Sequence, residues 1–350
     1  MISVLINLIP GWEIKKCINK IKEELIDGEF IVLDKDLTRK YCFDKKINNA
    51  INELAIELDK KLNVDLSWAR DLVDTSMLGS VHTLNVSGIH GITNVDNLGS
   101  VHTLDLTGCH NIKNVNNLGK VHKLTITNCD ITDVSMLEGV YELKMNNCDK
   151  VTDTSMLGNV HKLTLGGIHN DNVSLKNLGS VNQMAMHLNK NITSLEPLAF
   201  GTIMKIVLFR CSGIVDISPL CDVEYVSLEC CDNIVDVNVL KNVKKLILVD
   251  CKKIKDISLI YKVEMLALIN SEHIFDVGNL RGLDKLMVMS KKPQNKKSKK
   301  PRYNKVYGLY LLLYLKKLVL STEIKLEMTG EIRKLKKINE KLNIEITDME

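Results

Sequence analysis

The chain repeats itself about every twenty residues, and few folds tolerate that. Leu98 to Asn117 reads LGSVHTLDLTGCHNIKNVNN, the twenty residues before it read LGSVHTLNVSGIHGITNVDN, and the next stretch opens LGKVHKLTITNC. Aligned on the leading aliphatic residue, units start at Leu78, Leu98, Leu118, Leu137, Leu157, Leu178, Leu198, Leu220, Leu240, Ile260 and Leu280, in steps of 19 to 22 residues. A half-unit, DTSML at Asp74 to Leu78, precedes the array and matches Asp153 to Leu157. Extra residues fall in loops, as in AFGTIM, Ala199 to Met204. Such a period marks stacked supersecondary units, none of which can bury its apolar face alone.

Inside each unit the apolar positions are fixed. Val101, Leu104 and Leu106 read L-x-x-L-x-L, Cys109 follows three places on and Ile112 three beyond that; Val243, Leu246, Leu248, Cys251 and Ile254 hold the same frame. The alternation at Leu104 and Leu106 predicts a short strand with one face buried. The second half, typically I-x-D-V-S-x-L, returns the chain to the next strand. Aromatic residues make up 4% of the chain, so the core is aliphatic. Each buried aliphatic side chain contributes about 1.5–3 kcal/mol, and strands about 4.8 Å apart stack into a parallel sheet.

This frame resembles the leucine-rich repeat, L-x-x-L-x-L-x-x-N/C-x-L. Its cysteine, with C-x-x-I-x-D, resembles the cysteine-containing subtype often found behind F-box domains. The match covers Leu72 to Met289 in ten full copies, and the wording also resembles leucine-rich repeat proteins of large DNA viruses and amoebae. The resemblance implies a repeat solenoid, a horseshoe or arc with a parallel β-sheet on its concave face and helical caps. The unit is shorter than the usual cysteine-containing repeat, which implies short turns or 3-10 segments on the convex face. The resemblance further implies that the column Cys109, Cys129, Cys148, Asn189, Cys211, Cys231 and Cys251 turns inward as structural side chains and meets backbone amides at the turn. The residues themselves leave disulfides between stacked neighbours or thiolate–metal binding open, with no C-x-x-C pair to favour either.

A histidine column, His82, His102, His122 and His161, follows the first valine of several units, and His90, His110 and His169 form a second set. Stacked imidazoles could hold a metal ion, but the expected origin is duplication of a tolerated residue at the strand's entry. The reading assigns no metal and no cofactor.

The solvent-facing strand positions lie before, between and after the two buried leucines. Early in the array they are small or polar: Thr83, Asn85, Ser87; Thr103, Asp105, Thr107; Lys123, Thr125, Thr127. Later they become Lys205, Val207, Phe209; Tyr225, Ser227, Glu229; Lys245, Ile247, Val249; and Met265, Ala267, Ile269. An apolar run there marks either an interaction site or a surface covered by the C-terminal segment of the same chain.

The ends do not repeat. Residues 1–71 carry two amphipathic helical patterns, Ile14, Ile18, Ile21, Leu25 and Ile47, Ile51, Leu54, Leu58, Leu62. They form an α-rich cap, needed to shield the first core face, or a degenerate F-box-like region, echoed by LIPGWE at Leu8 to Glu13. The array occupies 72–290. Lys291 to Lys305 holds eight Lys or Arg and no acid; it reads as a basic disordered linker that could serve as a nuclear localisation signal or touch nucleic acid or anionic lipid. Residues 306–321 read as a divergent terminal repeat strand, with Lys317, Val319 and Ser321 exposed. Residues 322–350 read as a C-terminal helix, with Met328, Leu335, Leu342 and Met349 at heptad spacing suiting a short coiled coil or a cap.

Function narrows by exclusion. A net charge of +4 does not by itself imply a nucleic-acid partner, no apolar stretch reaches membrane-span length, and MISVLINLIP, with no basic residue and no small-residue cleavage site after it, is not expected to act as a signal peptide. No phosphate-binding, zincin or nucleophile-elbow motif is present, and Asp and Ser recur at every turn, as turn caps do. The expectation is a non-enzymatic protein-interaction scaffold, intracellular and chiefly cytoplasmic, gripping a protein partner on the concave face. The alternative is an F-box-like substrate-recognition adaptor with a ubiquitin-ligase scaffold as partner.

Overall fold

A computed structural model describes residues 11–167, 174–240, 242–270, 274–290 and 305–347. The chain divides into two compact units, Met1–Leu163 and Thr164–Glu350. Each is a leucine-rich repeat ladder: short parallel strands one repeat apart, with inward leucines in register and tight turns returning the chain.

The first unit opens with helix α1 (Gly11–Glu24), the hairpin β1 (Ile26–Asp27) and β2 (Phe30–Val32), then helices α2 (Lys35–Phe43) and α3 (Lys45–Glu57). Asp34 caps α2 by accepting the Leu37 amide at 2.9 Å and pairs with Lys20; Asp44 caps α3 by accepting the Lys46 and Ile47 amides. The apolar face of α3 buries Ile47, Ile51 and Leu54, and Asn48 donates to the Met77 carbonyl at 3.0 Å, tying the helix to the first turn of the array. The parallel ladder begins earlier than residue 72. Strand β3 (Lys61–Asp65) pairs with β2 on one side and β4 (Thr83–Asn85) on the other, so Leu62, Val64 and Leu66 already occupy the buried strand positions. Strands β5 (Thr103–Asp105), β6 (Lys123–Thr127) and β7 (Glu142–Asn146) follow in register, Leu84, Leu104, Leu124 and Leu143 side by side, and the division between the units falls within β8 (Lys162–Gly166).

In the second unit β9 (Gln183–His187), β10 (Lys205–Phe209), β11 (Tyr225–Glu229), β12 (Lys245–Val249) and β13 (Met265–Ile269) pair in parallel. A short strand β14 (Ile274–Asp276) follows, then β15 (Lys285–Met289) on β13. Strand β16 (Lys305–Tyr307) pairs with β14, away from the main ladder, and β17 (Lys317–Leu320) pairs with β15. Helices α4 (Thr322–Glu327) and α5 (Thr329–Ile338) lead to β18 (Asn343–Ile346), which pairs with β17.

Return segments are 3-10 turns, as at Asp96–Leu98, Asn116–Leu118 and Ser135–Leu137. The recurring Asp or Asn two places ahead caps each: Asn94 accepts the Asp96 amide at 2.7 Å, Asp133 the Ser135 amide at 2.8 Å and Asp216 the Ser218 amide at 2.8 Å. These carboxylates and amides belong to turns.

The tail departs from the heptad reading. Helix α5 stops at Ile338, and Leu342 precedes a strand. Asn339 donates to the Leu315 carbonyl at 2.7 Å, and Leu335 is fully buried against the preceding turn. A side-chain bond to a neighbouring repeat and an available sheet edge outweigh continuation of the helix. Val319 and Ser321, expected to face solvent, are buried. The basic segment 291–304, His169 and Leu8 to Pro10 lie outside the described residues. Among the described residues no helix is long and apolar enough to cross a membrane.

Candidate functional site

The strand faces of the second unit carry the twelve residues singled out above, now in register. Lys205, Tyr225, Lys245 and Met265 form one column at the strand starts; Val207, Ser227, Ile247 and Ala267 the middle; Phe209, Glu229, Val249 and Ile269 the strand ends. Parallel pairing at one-repeat offsets brings these side chains together although they lie twenty residues apart in sequence. Two of the twelve are buried: Ser227 at 2% exposure and Ala267 at 1%. Their small side chains sit between Val207, Ile247 and Met287 in the middle column, so they form the floor of the face. Lys245 is exposed and the others are half-buried.

Polar groups on this face have local partners. Ser227 donates to Glu229 at 2.9 Å, the Lys205 ammonium lies over the Tyr225 ring at 4.7 Å, and the Arg210 guanidinium lies over Phe209 at 5.1 Å. Burial, and then the Glu229 carboxylate, push the Tyr225 hydroxyl pKa up. The face runs further than the twelve residues. Met287 extends the middle column, and Lys285 and Lys317 extend the strand-start column. Applying the same frame to the Leu280 unit finds Lys285 and Met287 from sequence. The described C-terminal residues do not lie over this face: β18 adds to the ladder edge, and α5 packs against the Leu309–Leu311 turn, with Lys334 over the Tyr310 ring.

The first unit presents a different surface. Thr83, Asn85, Thr103, Asp105, Lys123 and Thr125 occupy the equivalent positions, and the strand-start neighbours form a stack of rings. His82 and His102 lie 4.4 Å apart between centroids, His102 and His122 4.5 Å, and Tyr141 continues the stack to His161 at 4.5 Å. The Nδ1 atoms of His82 and His102 each lie 3.2 Å from the hydroxyl of the next threonine. Burial and the neighbouring imidazole hold both pKa values below the usual range. The His82 and His102 ring planes are within 13° of parallel, so their nitrogen lone pairs run side by side and do not converge on a point. His90 and His110 stack similarly at 5.1 Å. Among the described residues no group of three or more His, Cys, Asp or Glu is placed to hold a metal.

The cysteine column is buried and unbridged. Each thiol donates to a backbone carbonyl of the preceding rung: Cys109 to Val86 at 3.2 Å, Cys129 to Leu106 at 3.2 Å, Cys148 to Ile126 at 3.7 Å, Cys211 to Met186, Cys231 to Leu208, both at 3.3 Å, and Cys251 to Leu228 at 3.2 Å. Asn189 uses its side-chain amide on the Leu165 carbonyl at 3.0 Å. The thiols also lie beside backbone amides one rung back, of Ile89 for Cys109 and of Cys109 for Cys129, so the column meets amides as expected and in addition donates to carbonyls, an ability that thiol and carboxamide share. Burial pushes the thiol pKa up to about 12 for Cys129, Cys211 and Cys251 and to about 11 for Cys109 and Cys148. A protonated buried thiol is neither a nucleophile nor a metal ligand.

No family model matches the chain, and no curated protein matches it. Solved structures similar to it include an internalin, InlF, of Listeria monocytogenes, with a TM-score of 0.45 and 22% identity over 79% of this chain and 85% of that one. The functional domain of InlJ from the same organism, described as including a cysteine ladder, has a TM-score of 0.32 and 15% identity over 78% and 71%. Internalin C2 has a TM-score of 0.35 and 18% identity over 61% and 91%.

Proposed function

We propose that the protein is a non-enzymatic scaffold that docks a protein partner on the strand face of its second unit. The observation that carries this reading is the register of half-exposed apolar side chains, Val207, Phe209, Ile247, Val249 and Ile269, on a face whose equivalent in the first unit is polar. Apolar side chains gathered on a surface favour association because covering them removes them from water. Residues 1–71 act in this reading as the cap of the first rungs, supported by the buried face of α3 and the Asn48 bond to Met77.

The test is affinity capture with the full chain, comparing wild type with a Phe209→Asp plus Ile247→Asp variant of matched unfolding midpoint. The expected outcome is loss of the partners that wild type retains, by tenfold or more, since buried carboxylates facing an apolar partner cost several kcal/mol. Retention of every partner overturns the reading.

A further inference from the structure

On that same face the charges are one-sided. Lysines stand at the strand starts on alternate rungs, Lys205, Lys245 and Lys285, beside the aliphatic stripe of Ile247, Ala267 and Met287. Lys205 is engaged by Tyr225, and Lys317 by Glu345 at 2.5 Å. Lys245 and Lys285 make no close ion pair among the described residues, and neighbouring carboxylates have partners: Glu224 pairs with Lys244 at 2.6 Å, Asp284 with Lys316 at 2.8 Å, Glu229 accepts from Ser227, and Glu345, paired with Lys317, acts on Lys285 only at longer range. Glu264 also acts on Lys244. Among the described residues the strand-start column therefore carries no carboxylate, and nothing covers the middle of the face. Residues 291–304, with seven Lys or Arg and no acid, have the wrong chemistry to supply either.

Spacing selects the shape of the occupant. Successive rungs lie about 4.8 Å apart, close to the 5.4 Å pitch of an α-helix. Lys245 and Lys285 are two rungs apart, about 9.6 Å, and helical residues seven apart are separated by about 10.5 Å. A helix laid across the strands thus sets one apolar turn on each rung and returns an acidic residue to the lysine edge at every second rung. We propose that the partner presents an amphipathic α-helix, its aliphatic stripe seated on Ile247, Ala267 and Met287 and its Asp or Glu residues, seven apart, facing Lys245 and Lys285. This inference rests on the docking face proposed above.

The probes are three fluorescein-labelled 21-residue peptides titrated against the full chain by anisotropy: an amphipathic helix with glutamates flanking a leucine stripe at i and i+7, the same peptide with lysines in their place, and the glutamate peptide interrupted by two prolines. The glutamate helix binds at least about tenfold tighter than either control, and its affinity falls with added salt. Lys245→Glu plus Lys285→Glu removes the preference over the lysine peptide, and Ile247→Asp removes binding. Equal binding of the lysine or proline peptides, an unchanged preference in the double lysine variant, or no binding of the glutamate helix overturns the assignment. If these results are negative while the Phe209→Asp plus Ile247→Asp variant still loses captured partners, the docking face stands and the helical acidic partner falls; partner retention by that variant removes the face itself.

Discussion

On seven rungs a single inward side chain, the thiol or carboxamide after the strand, donates to a backbone carbonyl of the rung before it. Replacing Asn189 by Ala leaves the Leu165 carbonyl without its bond and is expected to cost about 1–3 kcal/mol, read as a drop in the denaturant midpoint. The same column sets a pH limit. The folded state keeps thiol protons up to about 11 to 12 that the unfolded chain, with thiols near 9, releases. The native state therefore binds more protons through that window; its stability is complete below about pH 9 and falls as pH rises. Equilibrium unfolding from pH 7 to 10.5 is expected to show a declining midpoint, and iodoacetamide at pH 8 to leave these thiols unmodified until the chain unfolds. Backbone conformation carries its own residue-scale cost. The strand-end corner is left-handed on nearly every rung, and Leu188 adopts it with φ at 56° while 47% exposed. Leu188→Gly relieves that strain and is expected to stabilise by roughly 0.5–1 kcal/mol, visible as a higher thermal midpoint.

At the scale of the element, the rung is as compact as its turn allows. A Cβ placed on Gly99 would lie 2.3 Å from the Asn117 carbonyl oxygen, and one on Gly119 2.2 Å from that of Met136. The colliding atom is backbone of the next rung, so neither side can yield. Gly99→Ala is expected to destabilise by about 1–3 kcal/mol, with the loss appearing in denaturant unfolding. The strands and turns were legible in sequence because the L-x-L alternation and the Asp or Asn turn caps are local signals. The C-terminal elements were not. Leu335, Leu342 and their spacing look helical throughout, but Asn343–Ile346 lies next to the unpaired edge of β17, and filling an open edge satisfies backbone groups that a longer helix would leave exposed.

Across the whole molecule, stability is a sum of rungs and their interfaces. Leu248, fully enclosed in β12 between two paired strands, is expected to cost about 2–5 kcal/mol as Leu248→Ala, whereas Ile344→Ala in the half-exposed final strand is expected to cost under about 1 kcal/mol; denaturant unfolding of the two variants checks the contrast. The candidate site was partly legible. The period placed Val207, Ile247 and Ala267 in one column, because a twenty-residue repeat can stack in only one register without exposing its leucines. Which members of that column remain open to a partner depended on neighbours one rung away: Ser227 and Ala267 sink beneath larger side chains, and Met287 extends the stripe. The sequence by itself determined the repeat, the buried spine and the turn chemistry, since each follows from spacing within a single unit. The tertiary structure alone decided the stacked histidine rings, the carbonyl partners of the thiols and the alignment of lysines along one edge of the strand face, since each depends on atoms brought together from different rungs.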